Sequence, residues 1–319
     1  MQLQGITIEN FWKGGKNMLF NTSIDLFMNY ISSYCSEDTI YYYSINLDMF
    51  SKFICTVKGN SFNISELTKN DFIGYIAFLR SKTVKNTSIR TYARAIKVYL
   101  KYLYNEGYIV NDITKNVRFP RSDSRYICPL TNDDVLTILS GINGRCKARN
   151  VLIFYLMLEC GLRLQEVVNL NVNDIDFDNN IIKINNSKYN KSRFVPLPVN
   201  VNNAIVGYLS VRNDDNNALI LDIHNKDRIT KVAIKKMFNR WKFKYNIELY
   251  PHLLRHTFAT SFIMGGGNIE ILRILLGHSD FNVTKNYIHL ANQYSLLNYD
   301  IYRLDKCVFN CYKVYDVST

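Results

Sequence analysis

Four short strings in the second half of this 319-residue chain hold side chains suited to neutralising anions and moving protons. They are Gly161-Leu162-Arg163-Leu164-Gln165-Glu166, a polar run with Lys188, His252-Leu253-Leu254-Arg255-His256, and Gly277-His278 with Tyr287 nine residues later. A guanidinium offers an oxyanion two parallel hydrogen bonds. An imidazole takes or gives a proton near neutrality. A phenol near pKa 10 becomes a nucleophile only as a base removes its proton. Singly, each string is ordinary: an arginine after a buried helix is usually a surface ion-pair partner, and Tyr287 is one of 23 tyrosines. His252 and His256 have zinc-ligand spacing, but no Glu follows the first and an Arg lies between them, so no metal is expected. Without a Walker-type glycine loop, no nucleotide and no other cofactor is expected either.

Hydrophobic periodicity supplies the elements that must position these residues. Ile24, Phe27, Met28 and Ile31, then Tyr43, Leu47, Phe50 and Ile54, recur with helical period across 24–57, with Ser36, Asp38 and Thr39 as a start signal between them. Helices are also predicted over 68–81 and 87–105. The latter carries an apolar stripe, and Arg90, Arg94, Lys97 and Lys101 share a second face at offsets 0, 4, 7 and 11. Like charges one turn apart repel, so such a stripe is better tolerated beside a polyanion; the plain alternative is a solvated face. Prolines 120 and 129 bracket a polar, basic stretch that reads as a linker with the boundary near residue 124. Beyond it, Thr131 and Asp134 open a helix, 149–162 reads as a buried helix, and Ile181–Ile184 with Phe194–Leu197 form a hairpin. Helices resume around 199–211, 230–245, 253–264 and 268–277, with another through Tyr287. The fold class is therefore mainly α with a small antiparallel sheet, an α+β arrangement.

Charge narrows the partner. The net charge is +12, and residues 1–125 hold 16 Lys/Arg against 10 Asp/Glu, so both halves share the excess. A polyanion is expected, nucleic acid before anionic membrane. Seven cysteines without a C-x-x-C argue against a disulfide framework or zinc ribbon, and Cys307 and Cys311 read as small apolar residues on a helix. Residues 1–11 lack a signal-peptide pattern and no run is long enough to span a bilayer, so a cytoplasmic protein with no membrane partner is expected.

Taken together, the four strings resemble the catalytic domain of the tyrosine recombinase family of phage integrase and Xer type. The order, the 26-residue step from His252 to His278 and the nine-residue step to Tyr287 look like those of Xer-type recombinases. Pro251-His252-Leu253-Leu254-Arg255-His256-Thr257-Phe258-Ala259-Thr260 is similar to the family's best-preserved segment, and Leu275-Leu276-Gly277-His278-Ser279 and Tyr287-Ile288-His289-Leu290 continue the match. The resemblance implies an extension at 1–19, a helical, SAM-like core-binding domain at 20–110, a linker at 111–130, a catalytic domain at 131–292 and a protomer-docking tail at 293–319. It implies that Arg163 and Arg255 neutralise the phosphate, that Glu166 orients them, that His252 takes the proton of the nucleophile Tyr287, and that His278 hydrogen-bonds a non-bridging oxygen. Lys188 would protonate the leaving 5′ oxygen; because the loop lacks the usual glycine, Lys191 and Lys183 stay open. His256 and His289 read as structural, and Tyr294, Tyr299 and Tyr302 as packing or partner-binding residues.

The expected activity is site-specific recombination of double-stranded DNA through a 3′-phosphotyrosyl intermediate and a Holliday junction, by a homo-tetramer with a second recombinase or accessory protein as a further expected partner. The short stretch before the first helix favours an Xer- or resolvase-like enzyme over the arm-binding integrases, with a mobile-element integrase of transposon or plasmid type staying open. Arg90, Arg94, Lys97 and Lys101 are expected to touch DNA phosphates. Two rivals are a catalytically inactive DNA-binding relative and a type IB topoisomerase-like enzyme that relaxes supercoils.

Overall fold

The computed structural model describes residues 18–121, 127–185, 192–224, 226–278, 284, 287 and 288. They fall into two compact units that divide between Arg125 and Tyr126.

The first unit packs four helices, α1 (Phe20–Ser32), α2 (Glu37–Lys58), α3 (Lys69–Ser81) and α4 (Asn86–Asn105). Thr68 starts α3 with a reciprocal cap: its hydroxyl accepts from the Asp71 N–H, and its own N–H donates to the Asp71 carboxylate (2.7 Å). The core is unusually aromatic. Phe20 stacks on Phe62 (4.8 Å between centroids), and Phe27 meets Tyr99 edge-on (5.4 Å). The chain after α4 continues to pack on this core. Ile109 and Ile113 are buried with this core and Phe119 lies edge-on to Phe72. Two isoleucines and a phenylalanine among polar residues carry too little periodicity to declare themselves, yet each has apolar area to remove from water.

In the second unit, Thr131 and Asp134 exchange the same pair of capping bonds (2.9 and 3.1 Å) at the head of α5 (Asn132–Gly141). Helix α6 (Lys147–Leu158) follows, buried all along 152–158. It stops four residues short of the predicted end because Gly161 adopts φ +61, a left-handed conformation that ends helical winding. A short α7 (Leu164–Asn169) leads into a three-stranded antiparallel sheet, β1 (Ile175–Asp176), β2 (Ile181–Ile184) and β3 (Arg193–Pro196), in that order. Strand β1 is two residues long, too short to show alternation in sequence. Strand β3 begins one residue before the predicted Phe194, with Ile182 opposite Val195 and Ile184 opposite Arg193. That register turns Arg193 and Val195 inward and leaves Phe194 58 % exposed, the reverse of what apolarity alone suggests.

Four more helices complete the described part: α8 (Val199–Ser210), α9 (Lys231–Tyr245), α10 (Pro251–Met264) and α11 (Ile269–Leu276). Helix α6 lies in the main core, which α5, α7, the sheet, α8, α9 and the start of α10 all join. A smaller cluster of Phe258, Ala259, Leu272 and Leu276 encloses Tyr287. No described helix is long and apolar enough to cross a membrane.

Candidate active site

The turn after α6 is built for close approach. A Cβ on Gly161 would lie 2.4 Å from the Phe258 ring, so only glycine fits, and the freed carbonyl accepts from Arg255 Nη1 (2.7 Å). Arg163 is the N-cap of α7. Its N–H donates to Glu166 Oε2 (2.8 Å) while its Nη1 pairs with Oε1 (2.9 Å), so one carboxylate fixes both the backbone and the side chain of Arg163.

Arg255 and His252 come from α10, whose helix begins with Pro251 at its first position. Arg255 is buried; its Nη2 reaches the Leu276 carbonyl (2.6 Å) and His278 Nε2 (3.0 Å). His252 is exposed on the same helix. Helix α11 ends at Gly277, whose φ of +62 turns the chain toward His278. Three successive carbonyls at this end each accept from a different arginine: Leu275 from Arg193 Nε (2.6 Å), Leu276 from Arg255 Nη2 (2.6 Å) and Gly277 from Arg163 Nη2 (2.9 Å). Cations complement the negative end of a helix and satisfy its orphan carbonyls.

Arg193 was not foreseen as a site residue. Its fork holds both Glu166 oxygens at 2.8 Å, so Glu166 faces three guanidiniums, with Arg255 Nη1 3.9 Å away. The one available signal was its place at the end of the Lys188–Arg193 string, immediately before an apolar strand. Burial opposes charge on Glu166, but the Arg193 fork, then Arg163, outweigh it and take the carboxyl down to about 2. Burial, then Arg163, presses the Arg255 guanidinium down to about 9, against the pull of Glu166; it stays protonated at neutral pH.

The hydrogen bonds assign a tautomer to His278. Arg255 can only donate, so Nε2 accepts, which leaves the proton on Nδ1 for Thr284 Oγ1 (2.9 Å). Burial, then Arg255 and Arg163, push this imidazole down to about 4, so it is neutral at pH 7. Partial desolvation, then Arg255 and Arg163, also lower His252. The Tyr287 ring lies nearly parallel to His278 (6.3 Å, 10°) and against His256 (5.5 Å, 48°). Tyr287 is 4 % exposed; burial raises its phenol, and the charges of Arg255 and then Arg163 offset part of that. His256 has a buried Nδ1 without a hydrogen-bond partner among the described residues, and burial, then His252, push it down to about 4.

The structure thus brings Arg163, Glu166, Arg255, His278 and Tyr287 together, with His252 on the same helix as Arg255. Lys188 and Lys191 lie outside the described residues, as do His289, Tyr294, Tyr299, Tyr302, Cys307, Cys311 and the tail 293–319. Lys183 is exposed on β2. No group of three or more potential metal ligands occurs among the described residues.

Of the basic stripe on α4, three members have partners in their own unit. Arg90 Nη1 donates to the Pro120 carbonyl (3.1 Å), Lys97 lies 5.7 Å from the Phe119 ring centroid, and Lys101 pairs with Asp112 (2.8 Å). The hydrogen bond from Lys101, then that from Thr114, holds Asp112 down to about 2. Part of the repulsion along the stripe is therefore relieved by the segment after the helix. Arg94 is exposed.

Residues 129–294 match the phage integrase family, and residues 22–119 match the phage integrase SAM-like domain. The tyrosine recombinase XerA of Thermococcus onnurineus is 30% identical over 260 residues, covering 79% of this chain and 90% of that protein. The tyrosine recombinase XerC of Herpetosiphon aurantiacus is 28% identical over 265 residues, 80% of this chain and 85% of its own length. Among solved structures, the Tn1549 transposon integrase in complex with a circular intermediate DNA superposes with a TM-score of 0.70 at 21% identity, covering 83% of this chain and 94% of that one. A λ integrase dimer bound to a COC′ core site gives 0.71 at 14% identity, covering 85% and 95%.

Proposed function

The chain belongs to the phage integrase family of tyrosine recombinases, and from that premise we propose that Tyr287 is the nucleophile with which it cuts DNA. The protein is a DNA breaking-and-rejoining enzyme of site-specific recombination. In the proposed step the Tyr287 oxygen attacks the scissile phosphorus, a 3′-phosphotyrosyl bond forms, and the bond to the 5′ oxygen breaks. The phenolic proton goes to His252, whose depressed basicity keeps it neutral and able to accept. Lys188 gives a proton to the departing 5′ oxygen. Arg163 and Arg255 neutralise the non-bridging oxygens, where charge grows in the transition state. A phosphate oxygen that takes over the Arg255 Nη2 hydrogen bond frees His278 Nε2; in the tautomer with the proton on Nε2 and with Nδ1 accepting from the Thr284 hydroxyl, His278 then donates a hydrogen bond to that oxygen. Rejoining runs the same step backward with a 5′ hydroxyl from the partner duplex, so the diester energy is kept and no ATP is consumed.

One observation carries this reading: Arg163 and Arg255 meet at the end of α11 beside His278, which stacks on Tyr287. Assembly as four protomers on two duplexes, exchanging one strand pair at a time through a Holliday junction, belongs to the same proposal. To test it, DNA covalently trapped on the protein in cells is sequenced, and the recovered site is built into a nicked duplex. The wild type is expected to give a shifted protein–DNA band on a denaturing gel, and Tyr287→Phe none while still binding the duplex. A covalent band with Tyr287→Phe rules out the assignment. Exchange between two marked sites, as against relaxation of a single plasmid, separates a recombinase from a topoisomerase-like enzyme.

A further inference from the structure

Three guanidiniums share one carboxylate at this site, and only two of them have a task. Arg163 and Arg255 are assigned to the phosphate; Arg193 gives its fork to Glu166 at 2.8 and 2.8 Å and its Nε to the Leu275 carbonyl at 2.6 Å. The side chains of Arg193 and Glu166 are 7% and 4% exposed, so the pair is almost closed to solvent. Glycine at 277 is matched to the same residue, because a Cβ there would lie 3.0 Å from Arg193 Nη1.

We propose that Arg193 is a positioning residue for the strand-cleavage step: it occupies Glu166 and anchors the end of α11, so that Arg163 and Arg255 keep their charge and direction for the phosphate. The inference rests on the reading that these two arginines neutralise the scissile phosphate.

Glu166 already touches Arg163 at 2.9 Å and stands 3.9 Å from Arg255. Without Arg193, a buried carboxylate takes the strongest donors left to it, and those are the two arginines meant for the substrate. The formal charge of the cluster falls from +2 to +1 in the place where a phosphate must bind and gain negative charge. The loss of the Leu275 contact also loosens the helix end on whose next two carbonyls Arg255 and Arg163 rest. Lysine is no substitute, because one ammonium cannot span two carboxylate oxygens and a carbonyl.

The test measures cleavage of the recovered nicked duplex in single turnover with all DNA bound, together with duplex affinity and thermal melting. Arg193→Met is expected to cut roughly 10–100-fold more slowly, the usual size for a residue supporting a direct contact, with affinity changed less than threefold. Glu166→Gln added to Arg193→Met removes the misdirected carboxylate and is expected to recover a large part of that rate. Arg193→Lys is expected to cut about tenfold more slowly than wild type, and it decides the matter if Arg193→Met does not fold. Variants that melt earlier but cut at the wild-type rate once bound overturn the proposal, as does a double variant slower than Arg193→Met. A wild-type protein that forms no covalent complex on Tyr287 instead refutes the functional reading, and this inference falls with it.

Discussion

Burial sets the proton count of this site one residue at a time, and the signs differ. Glu159, two residues before Gly161, is 5 % exposed and receives one hydrogen bond from Asn200 (2.9 Å); burial raises it from 4.5 to about 7. A raised carboxyl favours the protonated folded state, so its contribution is complete below pH 4.5 and is lost as pH rises through about 7. Glu159→Gln keeps an acceptor for Asn200 and removes the charge. It is expected to match wild type at pH 4.5 and to exceed it by about 1–3 kcal/mol at pH 8, read from chemical denaturation at both pH values. His256 and His278, both at about 4 in the fold against 6.5 free, act oppositely: their contribution is present above 6.5 and lost as pH falls toward 4. Lys188 is the other residue-scale test. An alkoxide leaves phosphorus as a strong base, so its protonation contributes on the order of 10²–10⁴ in rate. Lys188→Ala is expected to cut slowly on a normal duplex and to recover when the bridging 5′ oxygen is replaced by sulfur, since a thiolate leaves without a proton. Recovery by Lys191→Ala or Lys183→Ala in its place shows that a different lysine acts.

At the scale of elements, the end of α11 organises the site, and comparing its Gly277 with Gly266, in the turn after α10, separates backbone cost from site geometry. Gly266 (φ +81) has nothing within 4 Å of an added Cβ, whereas Gly277 (φ +62) has Arg193 at 3.0 Å. Alanine at either is expected to cost about 1–2 kcal/mol for a left-handed non-glycine residue. Only Gly277→Ala should also slow covalent complex formation, by displacing Arg193; equal cleavage by both variants removes the helix end from the account. Helices with long apolar stripes, such as α2 and α4, were legible from period alone, and the four strings located Arg163, Arg255, His278 and Tyr287. What stayed hidden has physical causes. Arg193 sits inward on β3 where Phe194 sits outward, a reversal produced by the Glu166 carboxylate waiting inside, and no apolar pattern encodes a buried ion pair. Ile113 and Phe119 join the first core from a stretch whose prolines and charges read as linker. His256 was read as structural, and its ring does pack on Tyr287, a contact that only the third dimension reveals.

For the whole molecule, charge and its compensation decide how DNA is held. The net +12 is spread over both units, yet Arg90, Lys97 and Lys101 on α4 already have partners within the first. If all four stripe residues met phosphates, replacing them by Ala would flatten the dependence of log K on log salt by roughly 0.9 for each contact. Because Asp112 neutralises Lys101 in the free protein, the expected loss is smaller, about one to three contacts' worth, with the exposed Arg94 among the contributors. Binding titrations across a salt series measure this, and an unchanged slope reduces the stripe to an internally paired, solvated face. The same quadruple variant should weaken binding to every duplex alike, since phosphate contacts carry no sequence information.

The enclosure of Tyr287 also bears on what happens between targets. A cationic protein samples any duplex it meets, and a genome presents on the order of 10⁶–10⁹ irrelevant sites for each correct one. Tyr287 is 4 % exposed, burial raises its phenol, and its ring lies against those of His256 and His278, so little of it is open to such a duplex. If Tyr287 is the nucleophile proposed above, cleavage requires a bound site that repays opening this enclosure, and selectivity is then exercised at the breaking of strands as well as at their capture.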